Sequence, residues 1–231
     1  MTSMSALQDG LKRMAAARAV AEIHDGMIVG LGSGTTAACA IELLAKRVAR
    51  GLRISGIPTS SKTATLARRF GVPLTNFTKH RRIDVTIDGA DQAARDTFDL
   101  IKGRGGALLR EKIVASVSDR VIIVVDESKV INRLDGSVPL PVEVVAFGWQ
   151  TTLDRLSAIG CAPQIRLSEN KPFVTDGGHY IADCTISDMS DPKALALQLL
   201  ETVGVVEAGL FIGIASQIII GHPSGVEVLE R

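Results

Sequence analysis

The amino-acid sequence predicts an α/β fold with a second, smaller domain of the α+β type. Short apolar runs alternate with helical segments, a glycine turn follows the first run, and the alternation changes after Asp135-Gly136. The chain has 231 residues, enough for one large domain or for one domain with a small satellite. Hydrophobic residues make up 46% and charged residues 22%, which excludes intrinsic disorder.

Charge and cysteine content narrow the classes of partner and compartment. Lys+Arg 26 against Asp+Glu 25 leaves a net charge of +1, so we expect no nucleic-acid partner and no membrane partner. Cys39, Cys161 and Cys184 are far apart and form neither a disulfide framework nor a zinc knuckle. They favour a reducing, cytoplasmic location. The charged segment 1–21 resembles neither a signal peptide nor a membrane span.

Strands and helices alternate through the first half of the chain. Residues 5–23 have apolar side chains near helical spacing and predict an amphipathic helix. Unbroken apolar runs predict strands at 27–31, 53–57, 84–87 and 121–125. The intervening segments predict helices at 35–48, 60–70 and 107–117, the second of them capped by Ser60 or Ser61. Apolar strands that alternate with helices indicate a sheet covered on both faces.

The pattern after residue 136 indicates the second domain. Pro139 and Pro141 stiffen its first segment. Helices are expected at 149–159 and 192–203, and short strands at 164–167 and 180–186. We therefore predict a small α+β domain over 137–207, beside a large domain formed by 1–136 and 208–231. The apolar run 207–220 is expected to be a core strand that returns to the large domain.

The first candidate site is the turn Gly30-Leu31-Gly32-Ser33-Gly34-Thr35-Thr36. Its glycines allow a tight turn, and the helix that follows offers unpaired N–H groups to an anion such as phosphate. The order is not G-x-G-x-x-G, and the lysine of a P-loop is missing. A phosphomonoester therefore fits better than a dinucleotide or ATP. The alternative is a turn that only caps the helix.

The second candidate site is Asp88-Gly89-Ala90-Asp91, which directly follows an apolar strand. Ligands of open α/β sheets bind at this end of the strands. Gly89 permits a bend that aims both carboxylates into one crevice, where each would raise the other's proton affinity. The alternative is a solvated loop with two capping aspartates.

The third candidate site is Lys102-Gly103-Arg104-Gly105-Gly106 with the following Arg110-Glu111-Lys112. Lys102 at the entrance of the loop could hold a phosphate or an enolate oxygen. Glu111 is expected well inside its helix, where it is either a catalytic base or part of a surface salt-bridge pattern. A fourth polar cluster, Asp126-Glu127-Ser128-Lys129, follows another predicted strand.

A metal site is a weaker prediction. Asp88, Asp91 and Glu111 could in principle hold Mg²⁺, but the lysine and glycine loops already supply positive charge. The four histidines have no metal-ligand spacing and are interpreted as structural or surface groups: His24, His80, His179 and His222.

Together these segments resemble type A ribose-5-phosphate isomerase over nearly the whole chain. The matching segments are 30–36, 87–91, 102–112, 126–129, 139–144, 174–177 and 204–211. Each is weak alone, but their shared order over roughly 180 residues is specific. The resemblance implies a Rossmann-like large domain, a smaller α+β domain with a role in oligomerisation, and a homodimer or a dimer of dimers.

The resemblance also implies the activity and the residues that carry it. The family interconverts ribose 5-phosphate and ribulose 5-phosphate, in the non-oxidative pentose phosphate pathway, with neither cofactor nor metal. By motif position, Glu111 is the base and Lys102 steadies the oxyanion. Asp88 and Asp91 contact the sugar, with Asp88 as the acid/base of ring opening. The remaining residues implied in substrate binding are Lys12, Ser33, Gly34, Thr35, Thr36, Gly89, Ala90, Gly103, Arg104, Gly105 and Lys129.

Three positions depart from the family pattern. Gln92 stands where the family usually has Glu, which removes a negative charge beside the two aspartates. Arg104 replaces a glycine, and it would be strained if that position required a positive φ. Gly178-His179 replaces a common Asn-Gly or Gly-Asn and is expected away from the chemistry.

The residues suit an isomerisation. Moving a carbonyl from C1 to C2 requires removal of an α-proton through an enediolate, and one carboxylate can take the proton and return it. The phosphate does not react, so its binding energy can hold the reacting end in place. Two alternatives remain open: a sugar-phosphate-sensing module without turnover, and a related enzyme that acts on amino-sugar phosphates.

Overall fold

The computed structural model describes residues 4–231, with side chains from residue 6 onward. Residues 1–3 of the predicted N-terminal segment and of the predicted large domain lie outside the described residues. The described helices are α1 (Met4–Val20), α2 (Gly34–Val48), α3 (Ser61–Arg69), α4 (Leu108–Ser116), α5 (Trp149–Ala158) and α6 (Pro192–Glu201). None of these helices is both long enough and apolar enough to cross a bilayer.

The strands of the described chain are mostly short. The first eight are β1 (Ile28–Leu31), β2 (Ser55–Pro58), β3 (Ile83–Asp88), β4 (Gln92–Ala94), β5 (Leu100–Ile101), β6 (Ser118–Asp126), β7 (Val130–Ile131) and β8 (Leu140–Val144). The others are β9 (Cys161–Ile165), β10 (Leu167–Ser168), β11 (Lys171–Pro172), β12 (Tyr180–Ile186), β13 (Val205–Ala208), β14 (Leu210–Phe211), β15 (Gln217–His222) and β16 (Gly225–Glu230).

The largest sheet has six strands in the order β16-β15-β6-β3-β1-β2. All neighbouring pairs are parallel except β15 and β16, which form an antiparallel hairpin at one edge. Leu31 at the end of β1 stands opposite Ile87 of β3, and Asp88 stands opposite Ile123 of β6. The carboxyl ends of these strands therefore meet at one edge, which confirms the α/β fold class and brings the turns that follow them together.

Alternating side chains of the central strands face two different layers. Ile122 and Val124 of β6 pack in one cluster with α1 and α2. Val121, Ile123 and Val125 point the other way, into a cluster that includes residues of α4, β4, β5 and β14. The period of two in an unbroken apolar run thus buries both faces of the sheet, as the sequence predicts.

Two smaller antiparallel or mixed sheets complete the core. One, which we call the small sheet, has the order β13-β8-β12-β9 and packs against α5 and α6. The other, which we call the connecting sheet, has the order β14-β5-β4-β7 and lies between the small sheet and the central sheet. The predicted domain limits, 137–207 within 1–136 and 208–231, stay a prediction. The strands β4, β5 and β7 were not predicted, because two or three residues are too few to show a period.

The single core strand predicted at 207–220 is wrong. The chain there passes through three strands, β13, β14 and β15, each in a different sheet. Gly209 separates the first two: its N–H donates to the Pro141 carbonyl at 2.7 Å, and its carbonyl accepts from the Lys102 N–H at 2.9 Å. Gly213, with φ of 68°, separates β14 from β15.

Gly209 is predicted to tolerate no side chain. A Cβ atom there would overlap the Lys102 carbonyl and lie 3.0 Å from the Pro141 carbonyl, both of them backbone atoms. Gly209→Ala should lower the free energy of unfolding by about 1–3 kcal/mol in urea denaturation. Gly10→Ala is the control, since nothing lies within 4 Å of that position in α1. It should be neutral or stabilising by up to about 1 kcal/mol; equal effects of the two substitutions would contradict the steric argument.

Candidate active site

The turns at the carboxyl edge of the central sheet enclose a cavity of about 380 Å³. Every residue predicted for the site lines this cavity except Asp88, which lies directly beneath it. One further residue, Asp126, joins the lining. The lining residues are Lys12, Ser33, Gly34, Thr35, Thr36, Gly89, Ala90, Asp91, Lys102, Gly103, Arg104, Gly105, Glu111, Asp126 and Lys129.

The glycine turn opens the N-terminus of α2 to the cavity. Ser33 is the N-cap residue of α2, but its side chain makes no capping hydrogen bond. The first N–H groups of a helix have no intrahelical partner, and Gly34, Thr35 and Thr36 line the cavity at this end. Gly34 has φ of 91°, a conformation that favours glycine. This geometry favours an anion site over a turn that only caps the helix.

The Ser33 hydroxyl instead belongs to a cluster of hydroxyl groups that the sequence analysis missed. It lies 2.8 Å from the Thr59 hydroxyl, 2.9 Å from that of Ser60 and 3.1 Å from that of Thr63. Ser60 also caps α3 by accepting from the Thr63 N–H at 3.0 Å, which confirms the predicted N-cap. The cluster joins the glycine turn to α3, and the only sequence signal for it is the polar run after β2.

Lys102 is the centre of the charged part of the site. Its ammonium group lies 3.1 Å from Asp88 and 3.6 Å from Glu111, and it donates to the Gly89 carbonyl. The side chains of all three charged residues are less than a tenth exposed. Burial opposes the charge on Lys102, but the two carboxylates outweigh it and raise the pKa of Lys102 above its ordinary value.

Asp88 is held by the turns on both sides of it. Its Oδ1 accepts from the N–H groups of Ser33 at 3.1 Å and Gly89 at 2.8 Å. A Cβ atom on Gly32 would overlap the Asp88 carboxylate, so glycine is required for this close approach. Burial raises the pKa of Asp88, and the charge of Lys102 opposes that rise.

Glu111 lies in the first turn of α4, not well inside a helix as the sequence analysis expected, because α4 begins at Leu108. It is 6% exposed and pairs with Lys102, so the surface salt-bridge interpretation is wrong. Its Oε2 is buried without a hydrogen-bond partner. Burial raises the pKa of Glu111 to about 8, and the charge of Lys102 opposes that rise.

The arrangement does not fit the magnesium alternative. The ammonium group of Lys102 occupies the space between the carboxylates of Asp88 and Glu111. Within residues 4–231, no three His, Cys, Asp or Glu side chains are grouped so that they could hold a metal ion.

The loop after Lys102 is fixed from two directions. The N–H of Arg104 donates to Asp91 Oδ2 at 2.9 Å, and the φ of Arg104 is not positive, so this departure from the family pattern causes no strain. Arg166, between β9 and β10, donates to the carbonyls of Gly103 at 3.0 Å and Arg104 at 2.9 Å. The guanidinium of Arg166 is itself paired with Asp183. No sequence motif indicated the role of Arg166.

Two lysines border the cavity from other elements. Asp126 caps a short 3₁₀ helix, Glu127–Lys129, by accepting from the Ser128 N–H at 3.1 Å, and this turn brings Lys129 to the cavity. Lys12 reaches it from α1 and lies 3.6 Å from Asp9.

The other two departures from the family pattern lie outside the cavity lining. Gln92 is buried and donates to Asp135 at 3.2 Å and to Ser137 at 2.9 Å, away from the aspartate pair. His179 lies 3.0 Å from Glu143 in the small sheet. Its neighbour Gly178 has φ of 82°, which explains a glycine at that position.

Lys112, the residue after Glu111, anchors α4 to the other sheets. Its ammonium group donates to Glu207 at 2.7 Å and to the carbonyls of Ala208 at 2.7 Å and Leu210 at 2.9 Å. It also lies 4.9 Å from the centre of the Phe211 ring, whose centre is 5.5 Å from the ammonium group of Lys102.

Comparisons with known proteins agree with this geometry. The family profile for ribose 5-phosphate isomerase A (phosphoriboisomerase A) matches residues 55–225. Ribose-5-phosphate isomerase A of Gloeobacter violaceus is 50% identical over 96% of both chains.

Solved structures of such isomerases superpose closely on the chain. A D-ribose-5-phosphate isomerase in complex with phospho-erythronic acid has a TM-score of 0.93 at 36% identity, covering 97% of this chain and 99% of that one. The ribose 5-phosphate isomerase A of Methanocaldococcus jannaschii has a TM-score of 0.92 at 35% identity, covering 96% and 99%. The chain therefore belongs to the ribose 5-phosphate isomerase A family.

Proposed function

We propose that Glu111 is the base with which this aldose-ketose isomerase interconverts ribose 5-phosphate and ribulose 5-phosphate. The observation that carries the proposal is its Oε2, a buried carboxylate oxygen without a partner in a residue that lines the cavity. A proton acceptor in the isomerisation needs such a free oxygen close to C1 and C2. The comparisons favour neither the sensing module nor the enzyme of amino-sugar phosphates.

Lys102 stabilises the charge that forms when the proton leaves. The developing enediolate places negative charge on the oxygens of C1 and C2, and a preorganised donor there is worth about 3 kcal/mol. Because its pKa is raised, Lys102 remains a cation at neutral pH. Its two carboxylate partners hold it in place before the substrate arrives.

The N-terminus of α2, Lys12 and Lys129 line the cavity and are proposed to hold the phosphate. A relative has been solved in complex with phospho-erythronic acid, a compound that carries a phosphate, which supports a phosphate site in this family. The remaining cation of the lining, Arg104, is proposed to contact the substrate beside Asp91.

Asp88 and Asp91 are proposed to move the proton during ring opening. Asp91 lines the cavity and is the carboxylate available for direct contact with the sugar. Asp88 is engaged by two amides and Lys102, so it acts on the substrate through Lys102 or after one of these contacts opens.

The reaction balances without a cofactor. One proton leaves C2 of the aldose and returns to C1 of the ketose, while the hydroxyl proton moves between the two oxygens. The molecule's overall oxidation level does not change. The proposed place of the enzyme is the non-oxidative pentose phosphate pathway in the cytoplasm, where three free cysteines are compatible with reducing conditions.

A homodimer is proposed to form through an exposed apolar face, which we call the 145–203 face. Its large side chains are Val145, Phe147, Leu197, Leu200 and Val203. The two parts of the face are adjacent, because the N–H of Val145 donates to the carbonyl of Gly204 at 2.9 Å. Phe147 is 93% exposed, which is unusual for a large apolar side chain unless a partner covers it. The face lies within residues 137–207, for which the family resemblance implies a role in oligomerisation.

Glu111→Gln tests the base. The amide keeps the shape of the side chain but cannot accept the proton, so kcat should fall by about 100-fold or more with little change in KM. Glu201→Gln, at the exposed end of α6, is the control and should retain normal kcat. The measurement is a coupled assay of ketose formation from ribose 5-phosphate, and near-normal kcat in Glu111→Gln would exclude the role.

The free energy of unfolding of the same variant is predicted to depend on pH differently from that of the native protein. The folded-state pKa of Glu111, about 8, lies above its ordinary value of 4.5, so the folded protein binds this proton more tightly. The stability it contributes is complete below pH 4.5 and is lost as the pH rises through about 8. Glu111→Gln should therefore gain stability relative to the native protein over this range, measured by urea denaturation; a difference that does not change with pH would contradict the raised pKa of Glu111.

Lys112→Met tests whether the anchor of α4 positions Glu111. The substitution removes three hydrogen bonds and leaves Glu207 unpaired, so the free energy of unfolding should fall by about 2–4 kcal/mol. We expect kcat to fall about tenfold with KM nearly constant, because the base shifts but the phosphate end does not. Lys46→Met, on the exposed surface of α2, should change neither. A stable, fully active Lys112→Met would contradict the positioning role.

Phe147→Ser tests the homodimer. A polar side chain at the centre of the 145–203 face should weaken dimerisation at least about tenfold in sedimentation equilibrium. Leu7→Ser replaces another exposed apolar residue, on α1, and should leave the dimer intact. A native protein that is monomeric at micromolar concentration, or equal effects of both substitutions, would exclude this interface.

A further inference from the structure

A second cavity, of about 670 Å³, lies outside the catalytic lining and is larger than the catalytic cavity. It is bordered by the end of β2, by α3, by α4 and by the segment 74–79. No residue lines both cavities. Its volume is within the range of small-molecule sites, roughly 300–1,000 Å³.

The cavity exists because one face of the central sheet is incompletely covered at its β2 edge. The helix on that face, α4, has only nine residues and packs near β3 and β6. The chain beyond α3 returns along β2, with the N–H of Thr75 donating to the Gly56 carbonyl at 2.9 Å. The space left between this returning segment and α4 is the cavity, at the carboxyl end of β2. Ligands of open α/β sheets bind at such ends.

The charges around this cavity favour an anion. Arg68, Lys79 and Arg110 line it, and none of the lining residues is acidic. Among the described residues, neither Arg68 nor Lys79 has a carboxylate within 4 Å. Arg110 is paired with Asp176 at 3.1 Å through Nη1, and its Nη2 donates to the Asp176 carbonyl at 2.9 Å. Cations in this arrangement suit the several oxygens of a phosphate.

The rest of the lining favours a flat ring attached to that anion. Phe77 and Ile113 are large apolar side chains left 36% and 45% exposed at the cavity. Ile57 forms part of the buried wall behind them. The hydroxyl of Thr75 is buried and has no hydrogen-bond partner, although it belongs to a residue of the lining. An aromatic surface beside cations and a free hydroxyl can stack a base and bond its polar edge.

We propose that this cavity is a binding site for a nucleoside phosphate, with the phosphate near Arg68 and Lys79 and the base against Phe77. The site goes beyond the isomerase activity, since a nucleotide is neither substrate nor product of that reaction. Its occupant would contact α4 at Arg110 and Ile113, on the helix that carries Glu111.

Calorimetric titration of the full chain with AMP tests the proposal. Saturating ribose 5-phosphate is present throughout, so that the catalytic cavity is occupied. AMP should bind with a Kd below about 1 mM, and at least about tenfold tighter than adenosine or inorganic phosphate. Of these three compounds, only AMP carries both a base and a phosphate. No heat of binding with AMP up to about 5 mM would overturn the proposal.

Two substitutions test the contact with the phosphate and the contact with the base separately. Arg68→Ala should weaken AMP binding about tenfold, whereas Arg69→Ala, its neighbour outside the lining, should change it less than about twofold. Phe77→Ala should weaken AMP about tenfold and leave the binding of inorganic phosphate unchanged. Equal losses in Arg68→Ala and Arg69→Ala would overturn the site, and so would undiminished AMP binding in Phe77→Ala. All three side chains are exposed, and kcat should stay normal, which distinguishes failure here from failure of the isomerase proposal.

Discussion

The catalytic cavity depends on one buried ammonium group. Lys102 lies between Asp88 and Glu111, and removing it would leave two carboxylates without a cation where water is excluded. Burial raises the pKa of Glu111, the charge of Lys102 opposes that rise, and the neighbouring charge of Asp88 adds to it. One buried oxygen of the cluster, Glu111 Oε2, has no hydrogen-bond partner. This unpaired oxygen is where the proposed mechanism has the substrate proton accepted.

The three charged groups meet because three sheets share their loops. Asp88 ends β3 of the central sheet, Lys102 directly follows β5 of the connecting sheet, and Glu111 lies in the first turn of α4. Gly209 bonds the Lys102 backbone to that of Pro141, so the small sheet fixes the loop that carries the cation. Arg166, which directly follows β9 of that sheet, donates to the carbonyls of the two residues that follow Lys102. The small sheet and the residue after β9 thus fix the position of Lys102, the proposed oxyanion donor.

Periodicity predicts the central sheet, because a buried parallel strand is an unbroken apolar run such as 121–125. It does not predict the connecting sheet, whose strands β4, β5 and β7 have three residues or fewer. The glycine turns predicted from the sequence do line one cavity, since a backbone that must turn tightly requires glycine. The burial of Glu111 could not be predicted from the sequence, because Arg-Glu-Lys on a helix is also typical of a solvent-exposed face. The hydroxyl cluster and Arg166 depend on contacts across long sequence distances, for which no local signal exists.

The triplet Arg110-Glu111-Lys112 shows why consecutive charged residues on a helix do not by themselves indicate a solvent-exposed face. Successive helical residues point about 100° apart, so three neighbours face three different surroundings. Glu111 faces the catalytic cavity, Lys112 bonds β13 and β14, and Arg110 reaches Asp176 beside the second cavity. Buried apolar residues of α4, among them Leu108 and Val114, fix the rotation of this helix, and the polar anchors on either side of Glu111 add to them. The direction of the proposed catalytic carboxylate is therefore set in part by its two cationic neighbours in sequence, neither of which pairs with it.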